Sequence, residues 1–320
     1  MTWRYLAGRL AGTVVTLLGV AVVVFVVLRA LPGDAITAKL GTQSGVLDPG
    51  QRRALERYYG IDKSLVSQFF HWFGGLFRGD LGVSADTGHT VTGLIGSALP
   101  VTLELAVLAV LISTPVGILA GMLAASRPGR RRDLTVQGFS LVGLALPEFA
   151  LASVTVALLA SWFSYFPDPG TFVRLTDSPA GNLRQMIYPA LVLSVGLAAN
   201  IMRTTRSAYL EASRADFVRT ARGKGLPEGR IRFRHVLHNA SIPIATIVGI
   251  QFGYLLGGTV IIEQIFALPG LGRLLYQGIQ QKDYAVVQGV TLVIAVAFVL
   301  VNFGVDVLYR VLDPRTRENA

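Results

Sequence analysis

Four carboxylates fall within or beside long apolar runs: Glu104, Glu148, Glu263 and Asp306. An acid inside a membrane segment is expensive and marks a site until a partner accounts for it. Glu148 follows Pro147 in the middle of the run from Leu134 to Phe163. It is the hardest to explain without function, and it either faces a water-filled path or pairs across helices. Glu104 and Glu263 stand close to the outer ends of their runs, where solvated positions are expected. Asp306 stands near an inner end, with Arg310 four residues on, a spacing that pairs opposite charges on a helix.

Other reactive groupings are weak. His235 and His238 have a spacing that can place both on one helix face, as metal ligands require. Arginines surround them without a nearby carboxylate or thiol, so a structural role is expected. Gly223-Lys224-Gly225 lacks the leading spacing and the Ser/Thr of a phosphate loop, so this chain is not expected to hydrolyse ATP. No Gly-x-Ser-x-Gly elbow appears, and no catalytic constellation assembles. The chain has no cysteine, which excludes disulfides and thiolate metal sites.

Glycine spacing is more informative. Gly117 and Gly121 repeat at four residues, as do Gly249, Gly253 and Gly257. Small residues at this interval let membrane helices approach closely. Packing is expected for the first pair. Gln251 and Tyr254 lie among the second set, which suits either packing or the wall of a pathway.

The elements that position these residues follow from composition. The 320-residue chain is 52% hydrophobic and 15% charged, against roughly a quarter charged in a soluble domain. Apolar runs cover Ala11–Leu31, Leu99–Ala125, Leu134–Phe163, Ile187–Met202, Ile242–Ile265 and Val286–Leu308. Most reach the roughly 20 residues that cross a bilayer core, and the fourth is short enough to need its flanks. Pro115 and Gly117 are tolerable inside a span because neighbouring helices re-satisfy the backbone. The first run is longer than a signal-peptide core and lacks a small-residue cleavage site, so it reads as a retained helix.

The formal charge is +10. Most Lys and Arg fall on segments that alternate with the spans on one side. These are Arg4 and Arg9, the Arg127–Arg132 turn, the stretch from Arg203 to Arg234, and Arg310, Arg315 and Arg317. That bias places both termini in the cytoplasm. No basic stripe interleaves with stacking aromatics, so nucleic acid is not an expected partner. On the outer side a long loop, 32–98, carries Leu65, Phe69, Trp72, Phe73 and Leu76 at helical spacing. This aromatic helix suits the membrane interface and is expected to cap the bundle. On the inner side, 203–239 mixes both charge signs. Phe217, Ala221 and Gly225 share a helical face there before Gly225-Leu226-Pro227 breaks it. The stretch is either a solvated connector or a docking element.

Several fragments resemble one family. They are Val26-Val-Leu-Arg-Ala-Leu-Pro-Gly-Asp34, Tyr59-Gly-Ile-Asp62, Gly79-Asp-Leu-Gly82, Leu99-Pro-Val-Thr-Leu-Glu-Leu-Ala106 and Asp216-Phe-Val-Arg-Thr-Ala-Arg-Gly-Lys-Gly-Leu226. Further along come Arg234-His-Val-Leu-His-Asn-Ala240, Phe266-Ala-Leu-Pro-Gly-Leu-Gly272, Asp283-Tyr284, Asp306-Val-Leu-Tyr309 and Asp313-Pro-Arg315. In order and spacing they resemble the permease subunits of binding-protein-dependent ABC importers, in the dipeptide/oligopeptide/nickel branch.

The resemblance implies an all-α membrane protein with the type I ABC importer permease fold. Six transmembrane helices are implied, with a long extracytoplasmic loop after the first. The organisation is a tail and first helix at 1–31, the loop at 32–98, the permease domain at 94–309 and a tail at 310–320. The inner loop becomes a coupling loop that docks on an ATP-hydrolysing subunit. The family's Glu-Ala-Ala…Gly signature falls on Arg219, Thr220, Ala221 and Gly225, keeping only Ala221 and Gly225. Its distal part falls on residues 235–238, keeping only Leu237. The implied coupling residues are Ala221, Arg222, Gly225, Leu226 and Leu237. The candidate pathway residues are Glu148, Gly249, Gln251, Gly253, Tyr254 and Gly257.

The implied partners are a second, similar permease, two ATP-binding subunits or one fused ATPase chain, an extracytoplasmic binding protein and membrane lipid. ATP and Mg would be bound by the ATPase partners, and this chain would hold no cofactor. The implied location is the bacterial plasma membrane. The implied cargo is a short peptide, with nickel chelates or glutathione as alternatives within the branch. A stand-alone secondary transporter using Glu148 is the alternative of another class, and the long polar inner loop argues against it.

The absence of cysteine makes topology directly testable. Single cysteines in the Arg127–Arg132 turn and near either terminus should react with impermeant reagents only from the cytoplasmic side. Labelling of that turn from outside would refute the orientation.

Overall fold

Within a bilayer core no water is present to satisfy backbone polar groups, so a spanning chain folds into helices. The computed structural model describes residues 3–30, 48–58 and 62–312, and those residues contain no extended strand. The first fragment quoted above from Leu31 onward, most of the 59–62 fragment, and Arg315 and Arg317 lie outside the described residues. So does the side chain of Arg310.

The helices are α1 (Trp3–Ala30), α2 (Pro49–Tyr58), α3 (Leu65–Leu76), α4 (Val91–Ala125), α5 (Arg131–Ala145) and α6 (Glu148–Phe163). There follow α7 (Pro179–Ser213), α8 (Asp216–Gly223), α9 (Leu237–Gly258), α10 (Val260–Ile265), α11 (Leu271–Gln280) and α12 (Tyr284–Leu312). A short turn, Glu228–Arg230, and a π-helical segment, Ile231–Val236, lead directly into α9. Among the described residues five helices are long and apolar enough to cross a membrane. The count becomes six when the bent pair α5 and α6 is taken as one crossing.

Three spans differ from the sequence expectation. The run from Leu134 to Phe163 is not one straight helix, because α5 and α6 meet at 93°. Leu146 is extended and Pro147 supplies no N–H, so the helical ladder stops between them. The fourth span is not short: α7 has 35 residues, continuing through Asn182 and Gln185 at one end and Arg203 to Ser213 at the other. Its polar ends hide it from a hydropathy reading. The fifth span is divided at Thr259 into α9 and α10.

The central contact is α4 against α7. Lipid is as apolar as a leucine side chain, so helices associate through close packing rather than through water exclusion. The two small residues expected to do this do so. A Cβ on Gly117 would lie 2.7 Å from Ile201 and 3.0 Å from the Ala198 carbonyl oxygen. One on Gly121 would lie 2.6 Å from the Met202 carbonyl oxygen and 2.7 Å from Thr205. Leu105, Met186, Leu193, Leu197, Leu256 and Ile262 fill the core between α4, α7, α9 and α10.

The first helix lies along the last. At the basic end, where the Arg127–Arg132 turn lies, Arg9 meets Asp306 at 2.8 Å. Asp306 thus takes a partner from another helix, and the pairing expected with Arg310 rests on a side chain outside the described residues. At the opposite end Phe25 packs on Phe69 and Trp72 of α3, with ring centroids 5.2 and 5.8 Å apart. The Arg29 guanidinium lies 3.8 Å above the Phe25 ring, and its Nε donates to Gln68 Oε1 at 3.0 Å. The aromatic helix therefore docks on the C-terminal end of α1. Val15, Val23, Val26 and Val27 are left exposed on α1, as a lipid-facing side requires.

Gly121→Leu should force α7 away from α4 and lower the stability of the purified chain by about 1–3 kcal/mol or more. Thermal unfolding in detergent measures this. Gly138→Ala is the control, since a Cβ there meets nothing within 4 Å. Equal melting of both variants and the parent would contradict the close contact.

Candidate coupling and pathway sites

The basic end carries the sequence-predicted coupling residues. α7 continues to Ser213, and the eight-residue α8 folds back beside it. Val218 and Ala221 turn inward, 1% and 6% exposed, onto Ala125, Tyr209, Ile231 and Val236. Leu226 packs on the edge of the same cluster. Gly225 reverses the chain at φ +74°, which strains any residue with a Cβ even though the space beside it is open. The turn is closed by Gly225 N–H donating to the Arg222 carbonyl at 2.9 Å and Leu226 N–H to the Ala221 carbonyl at 3.3 Å.

The shared face expected for Phe217, Ala221 and Gly225 is therefore not a single open surface. Ala221 is small because α8 must lie close on its own chain. Leu237 likewise packs against the Ile201, Ala240 and Ile244 cluster. Arg222 is exposed and pairs with Glu228 at 2.7 Å. The outward surface instead presents Phe217, Thr220, Gly223 and Lys224. Phe233, 61% exposed in the π-helical segment, adds an aromatic that the sequence reading did not single out. Its signal was present: a lone phenylalanine between Arg232 and Arg234 in a polar stretch.

A second feature went unread. Asp133 is 1% exposed. It accepts from Arg206 Nε at 2.6 Å and from the other fork nitrogen at 2.8 Å. Gln137 Nε2 and the Gly129 N–H each donate to it at 2.8 Å. This pair ties the start of α5 to α7 just above α8. Asp133 sits beside three arginines in sequence, and only the fold shows that it belongs to a distant fourth.

Midway along the bundle, Glu148 is the first residue of α6 at the 93° bend. Its position is a break between helices and not the middle of one. Its Oε1 lies 3.7 Å from where a Cβ on Gly196 would stand, and Gly196 is the central residue of α7. The other pathway candidates lie elsewhere. Gly249, Gly253 and Gly257 lie against Val305, Phe298 and Ile294 of α12. Gln251 is half-buried and Tyr254 is 62% exposed, with its ring against Gly258. The structure does not bring this set to Glu148.

At the opposite end Glu263 overturns the expectation of a solvated acid. It is fully buried. Its Oε1 accepts from Thr102 at 2.7 Å and Thr259 at 2.9 Å, and its Oε2 from the Arg273 N–H at 3.0 Å. The carboxylate locks α4, α10 and the start of α11 together, and the Gly270 and Gly272 positions leave room for it. Glu104 is half-buried and accepts from Asn182 Nδ2 at 3.3 Å.

Comparison with known proteins places this arrangement. Residues 117–318 match the model of the binding-protein-dependent transport system inner membrane component. Residues 2–106 match the N-terminal model of the same type of membrane component. The chain belongs to the binding-protein-dependent transport permease family. It is 40% identical to a chain of Brucella abortus (strain 2308) whose name places it in a peptide transport system, over 97% of both chains. It is 36% identical to the di/tripeptide transport system permease protein DppB of Pseudomonas aeruginosa (strain UCBPP-PA14), over 98% of both. It is 34% identical to the oligopeptide transport system permease protein AppB of Bacillus subtilis (strain 168), over 97% of this chain and 98% of that one. This permease is thus a multi-pass membrane protein and a transport component that is not catalytic by itself.

Ala221→Trp should overpack the inner face of α8 and destabilise the isolated permease by about 1–3 kcal/mol, because a full side chain has no cavity there. Arg222→Ala should leave melting nearly unchanged, since exposed ion pairs contribute little. Thermal unfolding of the two variants separates them. An unshifted midpoint for the tryptophan variant would contradict the inward placement of Ala221.

Proposed function

We propose that this permease forms half of an ATP-driven importer for short peptides. The partners are a second, similar permease, two ATP-binding subunits and an extracytoplasmic binding protein. Membrane family and peptide-system relatives support this over nickel chelates, glutathione or a lone secondary transporter. ATP and Mg belong to the ATPase partners in this reading. Both termini then face the cytoplasm, and the assembly sits in the bacterial plasma membrane.

One observation carries the mechanism. α8 is held by its own buried cluster, while an aromatic and basic outer surface stays uncovered. A segment built this way transmits force: its inner face is part of the permease, and its outer face is free for a partner. Closure of the ATPase subunits on ATP would push α8. The push passes through Tyr209 to α7 and through Ala125 to α4, the two helices packed most closely. The bundle then shifts between two packings according to which one the partner binds better. The π-helical entry to α9 adds a point where the ladder is already irregular, as is frequent at functional sites.

The isolated permease should show no ATP hydrolysis, and turnover should appear when the ATPase subunits are added. Phe217→Ala and Phe233→Ala should each reduce retention of the ATPase subunits on co-purification while leaving the melting of the isolated permease unchanged. Full retention in the double variant would remove this surface from the coupling contact. Robust hydrolysis by the pure permease would contradict the division of labour.

A further inference from the structure

Glu148 is the acid at the bend between the two halves of one candidate span. Glu148 makes no hydrogen bond or ion pair among the described residues. It is half-buried, at the bend between α5 and α6, against Gly196 at the centre of α7. A carboxylate held at that depth requires water or a positive partner. Bends that interrupt membrane helices are where transported groups are commonly met, because irregular backbone at this depth is tolerated only beside protein or a water-filled cavity.

A polar edge begins at the same point. On α7, Gly196, Asn200, Arg203, Thr204 and Ser207 follow at helical spacing and are half-buried or exposed. The flanking positions Leu197, Ala198, Ala199, Ile201 and Thr205 are buried in the bundle. Arg206 turns away to Asp133. From Gly196 to Ser207 the edge runs about 16 Å at 1.5 Å per residue. That is about half of the roughly 30 Å hydrocarbon core, the distance from midplane to surface. Asn200 uses one amide hydrogen on the Gly196 carbonyl at 3.3 Å. No comparable polar edge marks the exposed side of α4, where Val107, Leu111, Val116, Leu119 and Leu123 are exposed.

We infer that the cytoplasmic half of the cargo path runs along this edge of α7, and that Glu148 is the midplane acceptor for the ammonium group of the cargo. The inference rests on the proposed import of peptides and names the wall that the peptide passes. The negative charge suits a free amino terminus. Below it, an amide and two hydroxyls offer neutral hydrogen bonds to a peptide backbone, and Arg203 on the same face suits a cargo carboxylate.

The cysteine-free chain allows a direct test in the assembled transporter. Asn200→Cys, Thr204→Cys and Ser207→Cys are made singly, with Leu111→Cys as the lipid-side control. Each is exposed from the cytoplasmic side to a cationic, membrane-impermeant methanethiosulfonate reagent. The edge cysteines should be labelled and the control should not. Labelling should lower peptide uptake at least about tenfold, as blockage by a bulky charge in a narrow path requires. Glu148→Gln should reduce the preference for a free-amino peptide over its N-acetylated form by about tenfold, the size of one charge-assisted hydrogen bond. Glu148→Asp should keep part of that preference. Unlabelled edge cysteines would overturn the inference and show a surface covered by the second permease or by lipid. Labelling without loss of uptake, or an unchanged preference in Glu148→Gln, would overturn it too. If the parent assembly imports no peptide, the peptide reading fails, while the labelling result still decides the path.

Discussion

The fold depends on the close approach of α4 and α7. In lipid, burying apolar surface against another helix gains little, and fit has to supply the attraction. Gly117 and Gly121 remove the side chains that would separate the two backbones, so that α4 reaches the carbonyl oxygens of Ala198 and Met202. Everything positioned by α7 inherits that contact. Its centre sets the surface beside Glu148, and its last turns hold α8 through Tyr209.

Two buried carboxylates fasten other helices to this pair: Asp133 joins α5 to α7, and Glu263 joins α10 and α11 to α4. Asp133 is held by Arg206 and two further donors at the basic end. Glu263 is held by two threonine hydroxyls and a backbone N–H at the opposite end. Burying a charge is tolerable only when its acceptor capacity is met. Both sites meet that condition with partners from separate helices, so each acts as a clamp. Glu148 differs in kind. It is a third acid of the bundle, at the bend between α5 and α6, without such partners among the described residues. Under the proposed function, two clamped acids serve the structure and the acid between them serves transport.

Mechanical linkage follows the same layout. α8 rests on α7 and α4 through a small apolar cluster, with a glycine turn and a π-helical segment on its far side. Packed clusters of this size move as bodies and do not deform smoothly. Under the proposed function, a push on α8 would reach the α4–α7 contact through this cluster, and with it the bend next to Gly196. The ion pair from Arg9 to Asp306 and the ring contacts of Phe25 join α1 to this body at both ends.

Much of this was legible in the sequence. Apolar run length announced the membrane helices, and the four-residue glycine interval announced the α4–α7 contact. These signals are local or periodic, so one chain read in order carries them. The fragments from Leu99 to Ala106 and from Asp216 to Leu226 carried the family as well. Tertiary structure decided the rest. Whether Ala221 faced in or out depended on Tyr209 and Ile231, which sequence order does not place beside it. Glu263 read as solvated because a residue near the end of a run usually is, and only the fold brings Thr102 to it across 161 positions. Hydropathy cut α7 short because its polar ends continue a helix that hydrogen bonding sustains beyond the apolar core. Proline at 147 announced a disturbance, but the 93° turn and its meeting with Gly196 arise from how α5 and α6 pack against α7. Partners remote in sequence decide burial, and burial decides what a charged side chain does.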